Sequence, residues 1–198
     1  MYSVDELDLS KTYTYADYVS WRFEERLELI RGKIFKMSPA PSVNHQTVTG
    51  NIFAELHVFL RNKQCRVFAA PFDVRLVRNE KSDKKVKTVV QPDVCVICDL
   101  AKITDQRSCL GAPDLVVEVL SPGNNSKEIQ LKYDLYEEFG VREYWMVYPG
   151  ELSLMKYVLD KEGKFTTEGR ALTLGDKLTT PILPGFELSM DDVFRNLI

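Results

Sequence analysis

A mixed α/β fold, with a central mixed β-sheet flanked by helices and carrying added β-hairpins, is predicted by three features of this 198-residue sequence. The run Asp114-Leu115-Val116-Val117-Glu118-Val119-Leu120 is apolar almost throughout, the pattern of a strand buried on both faces. A helical stretch from Lys127 to Phe139 and a second apolar strand from Glu143 to Tyr148 follow it, and strand, helix, strand implies a crossover connection. Short period-2 segments separated by glycine turns lie on either side of this unit and read as hairpins. The length suits one domain over residues 1–198.

In chain order, Thr14 with Asp17 has the form of a capping box and starts a short helix that includes Tyr18, Val19 and Trp21. Leu27-Glu28-Leu29-Ile30 and Lys33-Ile34-Phe35-Lys36-Met37 alternate around Arg31-Gly32, which predicts a hairpin with Glu28 in its first strand. Val48, Ile52, Leu56, Phe59 and Leu60 recur at helical spacing, so a helix runs from about Ser42 to Arg61 with His45 in its first turn. Cys65 to Phe68 and Phe72 to Val77 read as strands, followed by a charged loop from Arg78 to Lys87. Val89 to Cys98 reads as one strand-like run whose Pro92 favours a strand start or an edge, with Asp93 at the entrance. After Glu143 to Tyr148, Leu152 to Leu159 forms a hairpin through the turn at Asp160-Lys161-Glu162-Gly163-Lys164, and Ser189 with Asp192 caps a last short helix.

Composition removes several function classes. With 44% hydrophobic and 28% charged residues and no apolar run of about 20 residues, the chain is expected to be globular and not to span a membrane. Its first residues carry acids early and show no export signal, so a cytoplasmic protein is expected. Cys65, Cys95, Cys98 and Cys109 lie in or beside apolar segments, which predicts reduced buried thiols and no disulfide framework. Cys95 and Cys98 are three apart on a strand and face opposite sides, which argues against a zinc pair. A net charge of −3 confines any nucleic-acid contact to a local surface.

The chemistry centres on Glu118. A carboxylate in the middle of a buried strand loses its hydration at a cost of several kcal/mol unless a cation or donors compensate. Alternation puts Glu118 where it can meet a carboxylate of a neighbouring strand such as Asp93, and two close carboxylates repel unless a hard divalent cation such as Mg²⁺ (or Mn²⁺) joins them. Such a pair suggests a site that handles phosphate. On the following helix Glu128, Lys132 and Tyr136 recur every four residues, so Lys132 can reach back toward the carboxylates and orient or help deprotonate an attacking water.

The chain resembles the bacterial restriction-endonuclease-like family called Uma-type, first catalogued as a domain of unknown function. The resemblance rests on Leu27-Glu28-Leu29-Ile30-Arg31-Gly32-Lys33, Met37-Ser38-Pro39, Asn44-His45-Gln46, Gln91-Pro92-Asp93-Val94, Pro113 through Pro122, and Gly140-Val141-Arg142-Glu143-Tyr144-Trp145. It implies the PD-(D/E)XK restriction-endonuclease-like core and a Mg²⁺-dependent endonuclease acting on DNA. Asp93 and Glu118 match the acidic metal-binding positions, and Lys132 matches a lysine moved to the helix, because Leu120 stands where the superfamily places it. Glu28, His45 and Glu128 are supporting residues; Glu128 and Tyr148 each stand where the family commonly has aspartate.

Other readings of the same residues stay open. Asp93 and Glu118 could form a metal-free buried network with Lys132 or Arg75, Glu28 and His45 could serve in salt bridges and capping, and the basic loop could be a solvated hairpin tip. The expected partner is nucleic acid, with DNA first; a homodimer would suit cutting of two strands. The competing function is a catalytically inactive nuclease-fold binding or regulatory module.

Overall fold

The structure, a computed structural model, describes residues 4, 7–21, 25–37, 41–78, 82–103, 107–123, 125–167 and 169–198. Its elements follow the local signals closely. Helix α1, Tyr15–Tyr18, begins at a reciprocal cap in which Thr14 N donates to Asp17 Oδ2 at 2.8 Å and Asp17 N donates to Thr14 Oγ1 at 3.4 Å. Strands β1, Leu27–Ile30, and β2, Lys33–Lys36, pair antiparallel through Arg31 and Gly32, both with positive φ, which matches the right-handed strand twist. Helix α2, Val43–Leu60, is capped by Ser42 Oγ, which accepts from His45 N at 3.2 Å, and buries Val48, Ile52, Leu56 and Leu60 along one stripe.

Strands β3, Arg66–Ala69, and β4, Asp73–Arg75, precede the first departure from the sequence reading. Val89 to Cys98 is two strands, not one: β5, Val89–Val90, pairs with β1 and β4, whereas β6, Val94–Ile97, pairs with β3 in another sheet. Pro92 lacks the N–H a continuous ladder needs, and Gln91-Pro92-Asp93 is the crossing between the sheets. That crossing sets Gln91 and Asp93 at the boundary between them.

Strand β7, Ser108–Leu110, lies parallel to β4, and β8, Leu115–Val119, runs antiparallel to β6. Helix α3, Ser126–Phe139, ends at Gly140 in the left-handed conformation (φ 80°), and β9, Glu143–Tyr148, returns parallel to β8 as the crossover reading requires. Strands β10, Ser153–Leu159, β11, Phe165–Thr167, and β12, Leu172–Thr173, extend this sheet antiparallel, and β13, Lys177–Thr179, with β14, Glu187–Ser189, forms a separate hairpin before α4, Met190–Val193. Among the described residues the order is β2-β1-β5-β4-β7 in one sheet and β11-β10-β9-β8-β6-β3 in the other.

Strand alternation sorts the larger sheet's side chains into two cores. Leu115, Val117 and Val119 of β8, with Val94, Val96, Trp145 and Val147, pack with the buried stripe of α2 and with α4. Val116, Cys95, Ile97, Tyr144 and Met146 face the opposite way and pack with Leu135 and Tyr136 of α3 and Val74 of β4. Glu118 belongs to this second face by the same parity, so a carboxylate is carried toward α3.

The cysteines depart from expectation in one respect. Cys65 and Cys98 form a disulfide, because they flank the β3–β6 ladder one step beyond the Arg66–Ile97 pair, which places them opposite one another. Cys95 and Cys109 are free and buried. Among the described residues no helix is long and apolar enough to cross a membrane.

Gly32 has φ +78°, and a Cβ there would lie 2.3 Å from Thr12 Cγ2 and 3.0 Å from Tyr13 O. Gly32→Ala is therefore expected to lower the unfolding free energy by about 1–3 kcal/mol, read from the urea midpoint at unchanged slope. An unaltered midpoint would mean that the turn tolerates a side chain.

Candidate functional site

Two side chains one helical turn apart on α3 converge on Glu118. Lys132 Nζ lies 2.9 Å from Glu118 Oε1, and the Tyr136 hydroxyl donates to the same oxygen at 2.5 Å. Lys132 Nζ also donates to Glu28 Oε1 at 3.0 Å, so one ammonium joins a carboxylate of β1 to a carboxylate of β8. Burial pushes the Glu118 carboxyl up to about 7, despite the opposing pull of the Lys132 charge, with Asp93 and Glu28 adding repulsion. Burial works against the Lys132 charge, but Glu118 and Glu28 outweigh it and hold the ammonium more firmly protonated than usual.

Asp93 stands on the neighbouring strand entrance. Its Oδ2 accepts from Val119 N at 2.8 Å and lies 3.2 Å from His45 Nε2, which ties β6, β8 and the first turn of α2 together. Burial opposes a charged His45, and the hydrogen bond and charge of Asp93 outweigh it, so the imidazole is raised above its usual range. Glu28 accepts a second hydrogen bond, from Gln91 N at 2.8 Å. The Gln91 side chain is itself fixed, accepting from Arg26 Nη2 at 2.8 Å and donating to Asp73 Oδ1 at 2.9 Å and Tyr18 OH at 3.1 Å.

All six residues singled out in the sequence, Asp93, Glu118, Lys132, Glu28, His45 and Glu128, line one cleft of about 430 Å³. Its walls carry the carboxylates of Glu28, Asp93, Glu118 and Glu128 and the basic side chains of Arg26, Lys36 and Lys132, and it is Lys132 that pairs with Glu28 and Glu118. Asp93 Oδ1 and Glu118 Oε2 accept no hydrogen bond from the described residues, while the other oxygen of each carboxylate is occupied. Two such open carboxylate oxygens are hard donors of the kind that suit a divalent cation such as Mg²⁺, which takes one or two carboxylates and completes its shell with water or phosphate oxygens. Among the described residues no three His, Cys, Asp or Glu side chains form a metal-holding group, so a cation here would rely on Asp93 and Glu118 with non-protein ligands.

Several assignments are sharpened. Glu128 is exposed at the rim, where its carboxylate and backbone form a reciprocal cap with Asn125 at the start of α3. Arg75 stays away from Glu118: its guanidinium pairs with Asp83 at 2.9 Å and lies over the Tyr15 ring. Residues 79–81 of the basic loop and Ser38-Pro39 of the Met37-Ser38-Pro39 motif lie outside the described residues. The remainder of that loop is tied to the N-terminal segment, with Tyr15 N donating to Val86 O and Gly32 N to Lys87 O. Tyr136 and Gln91 were not among the candidates. The every-fourth-residue spacing from Glu128 through Lys132 already pointed to Tyr136, whereas Gln91 acts through its backbone at a sheet crossing that the sequence pattern hid.

Comparisons with known proteins agree on family and fold. The family model Uma2, described as "Putative restriction endonuclease", matches residues 15–191, and the chain belongs to that family. Among solved structures, one described as a "putative nuclease belonging to DUF820" from Anabaena variabilis is similar, with a TM-score of 0.68 and 17% identity, over 91% of this chain and 97% of that one. This likeness shows the shared fold. No curated protein matches the chain.

A pH dependence follows from the cluster. A carboxyl raised from 4.5 to about 7 contributes stability that is fully present below the unfolded value and is lost as pH rises through the folded one, and the raised His45 acts in the same direction. Without divalent ions, the unfolding free energy of the wild type is expected to fall between about pH 5 and pH 8, and Glu118→Gln to flatten that slope. Urea titrations across this range in a chelating buffer check it; a slope unchanged by the substitution would remove Glu118 as its source.

Proposed function

We propose that this member of the Uma2 family is a metal-dependent nuclease that hydrolyses phosphodiester bonds of DNA, with Asp93 and Glu118 as metal ligands and Lys132 as the group that positions the attacking water. The observation that supports the reading is the cleft in which Glu28 and Glu118 meet the Lys132 ammonium beside Asp93, with one oxygen of Asp93 and one of Glu118 accepting no hydrogen bond from the described residues. A Mg²⁺ or Mn²⁺ ion held by these two residues would supply Lewis-acid polarisation of the scissile phosphate and a more acidic bound water. Everything else falls to the chain's own groups.

Lys132 is held protonated by its two carboxylate partners, so its role is to donate. It can orient the water through a lone pair and offset the negative charge that builds on phosphorus as the water oxygen attacks and the ester oxygen leaves. Its two hydrogen bonds, to Glu28 and Glu118, fix the ammonium and keep it from swinging into solvent. Tyr136 locks Glu118 Oε1, and the Val119 amide locks Asp93 Oδ2, so the remaining oxygens are presented in fixed positions. Gln91 N and the Arg26–Gln91 contact hold Glu28 against Lys132.

Calorimetric titration of Mg²⁺ and Mn²⁺ into the wild type and Glu118→Gln, alongside plasmid cleavage, tests the reading. Binding by the wild type that disappears in Glu118→Gln is expected. Lys132→Ala, checked for folding by circular dichroism, is expected to retain binding and to cut roughly 10²–10⁴-fold more slowly. A folded wild type that binds neither ion and cuts no DNA would sink the proposal. Binding without cutting would favour a nuclease-fold protein that has lost catalysis.

A further inference from the structure

A second cleft, of about 620 Å³, adjoins the carboxylate cleft and shares Ser42, Leu120, Ser121 and Ile129 with it. The two are joined along the chain itself, since Leu120 and Ser121 directly extend the strand that carries Glu118. The second cleft has a different chemistry. Its walls include Leu120, Pro122, Ile129, Tyr148 and Pro149, and the only charged side chain along its described walls is Glu151. The Tyr148 ring is partly buried against the second core, with its hydroxyl next to Met146 Sδ. Asn44 closes another side, donating from Nδ2 to Ile198 O at 2.7 Å and accepting at Oδ1 from Ile198 N at 3.0 Å.

We infer that this second cleft receives an unpaired nucleobase adjacent to the scissile phosphate, so that the enzyme acts on single-stranded or splayed DNA in preference to fully paired duplex. The inference rests on the nuclease reading of the neighbouring cleft and adds the substrate class to it. A compartment with no lysine or arginine along its described walls and one carboxylate repels phosphate and suits an uncharged heterocycle, while Lys132 lies in the adjoining cleft. A tyrosine ring beside aliphatic and proline walls offers an aromatic surface of the kind on which single-strand binders stack bases, and such stacking tolerates any base because every base has a π-face. The volume is that of a pocket for a small molecule, the scale of one nucleotide. A paired base can reach such a pocket only by leaving its stack, which disfavours intact duplex relative to a strand already open.

Binding of an oligodeoxynucleotide carrying 2-aminopurine, measured by fluorescence and anisotropy without divalent ions, decides the matter. The wild type and Tyr148→Phe, which keeps the ring, are expected to quench the probe and to bind the single strand at least about ten-fold more tightly than the same sequence fully paired. Tyr148→Ala is expected to bind the single strand roughly 5- to 100-fold more weakly and to lose the quenching. Val43 is 60% exposed and lines the same cleft, so Val43→Trp, which disturbs no core packing, is expected to obstruct it and weaken binding similarly. Equal affinity for single strand and duplex, or wild-type binding by both Tyr148→Ala and Val43→Trp, would overturn the inference. Plasmid cleavage by a wild type that shows no quenching would do the same while leaving the nuclease reading intact. Quenching without any cleavage would uphold the base pocket and reject the nuclease.

Discussion

Lys132 makes two short contacts whose partners belong to different sheets. Glu28 comes from β1 in the sheet that begins with the N-terminal hairpin, Glu118 comes from β8 in the larger sheet, and the ammonium between them is carried by α3. Three elements far apart in sequence are therefore pinned at one point by charge. Removing the lysine would leave two buried carboxylates facing each other, a situation whose cost in proteins runs to about 3–5 kcal/mol. Other contacts of the cleft gather at the same point: Tyr136, packed with Leu135 in the second core, reaches Glu118, and Gln91 meets Glu28 where the two sheets come together.

Pro92 contributes a constraint of another kind. By interrupting the ladder it lets the chain pass from β5 in one sheet to β6 in the other within three residues, Gln91-Pro92-Asp93. Gln91 then serves the Glu28 side of the site through its backbone amide, and Asp93 serves the Glu118 side by accepting from Val119 N. A continuous strand over Val89 to Cys98 would hold these neighbours in one ladder and could not divide them between the two sheets. The proline that complicates the secondary structure is what allows adjacent residues to support both halves of the cleft.

Most of the scaffold was legible because its signals are local. The cap at Thr14, the Arg31-Gly32 turn, the apolar stripe of α2, the end of α3 at Gly140 and the unbroken run of β8 each depend on residues a few positions apart. The position of Lys132 was legible from its spacing on α3 after β8, and its meeting with Glu118 follows from that geometry. What escaped was set by tertiary pairing. The split of Val89 to Cys98 depends on which strands flank each half, and the Cys65–Cys98 bond depends on the β3–β6 register; neither leaves a periodic trace in the sequence. Glu128 shows the converse: its spacing suggested a place in the site, while its strongest local partner, Asn125, uses it as a helix cap.

The two adjoining clefts divide charge from apolar surface at a single short segment. Glu118 lines only the charged cleft and Pro122 only the other, with Leu120 and Ser121 between them lining both, within one short stretch of chain. In strand alternation Glu118 and Leu120 share a face, so the change from carboxylate to aliphatic side chain occurs between consecutive same-side positions. Leu120 is also where the superfamily pattern would place a lysine. A lysine there would carry positive charge to the mouth of the second cleft, whereas Leu120 gives both clefts an apolar wall. Lys132 on α3 bridges Glu28 and Glu118 with one cation, and the described walls of the neighbouring compartment carry no lysine or arginine.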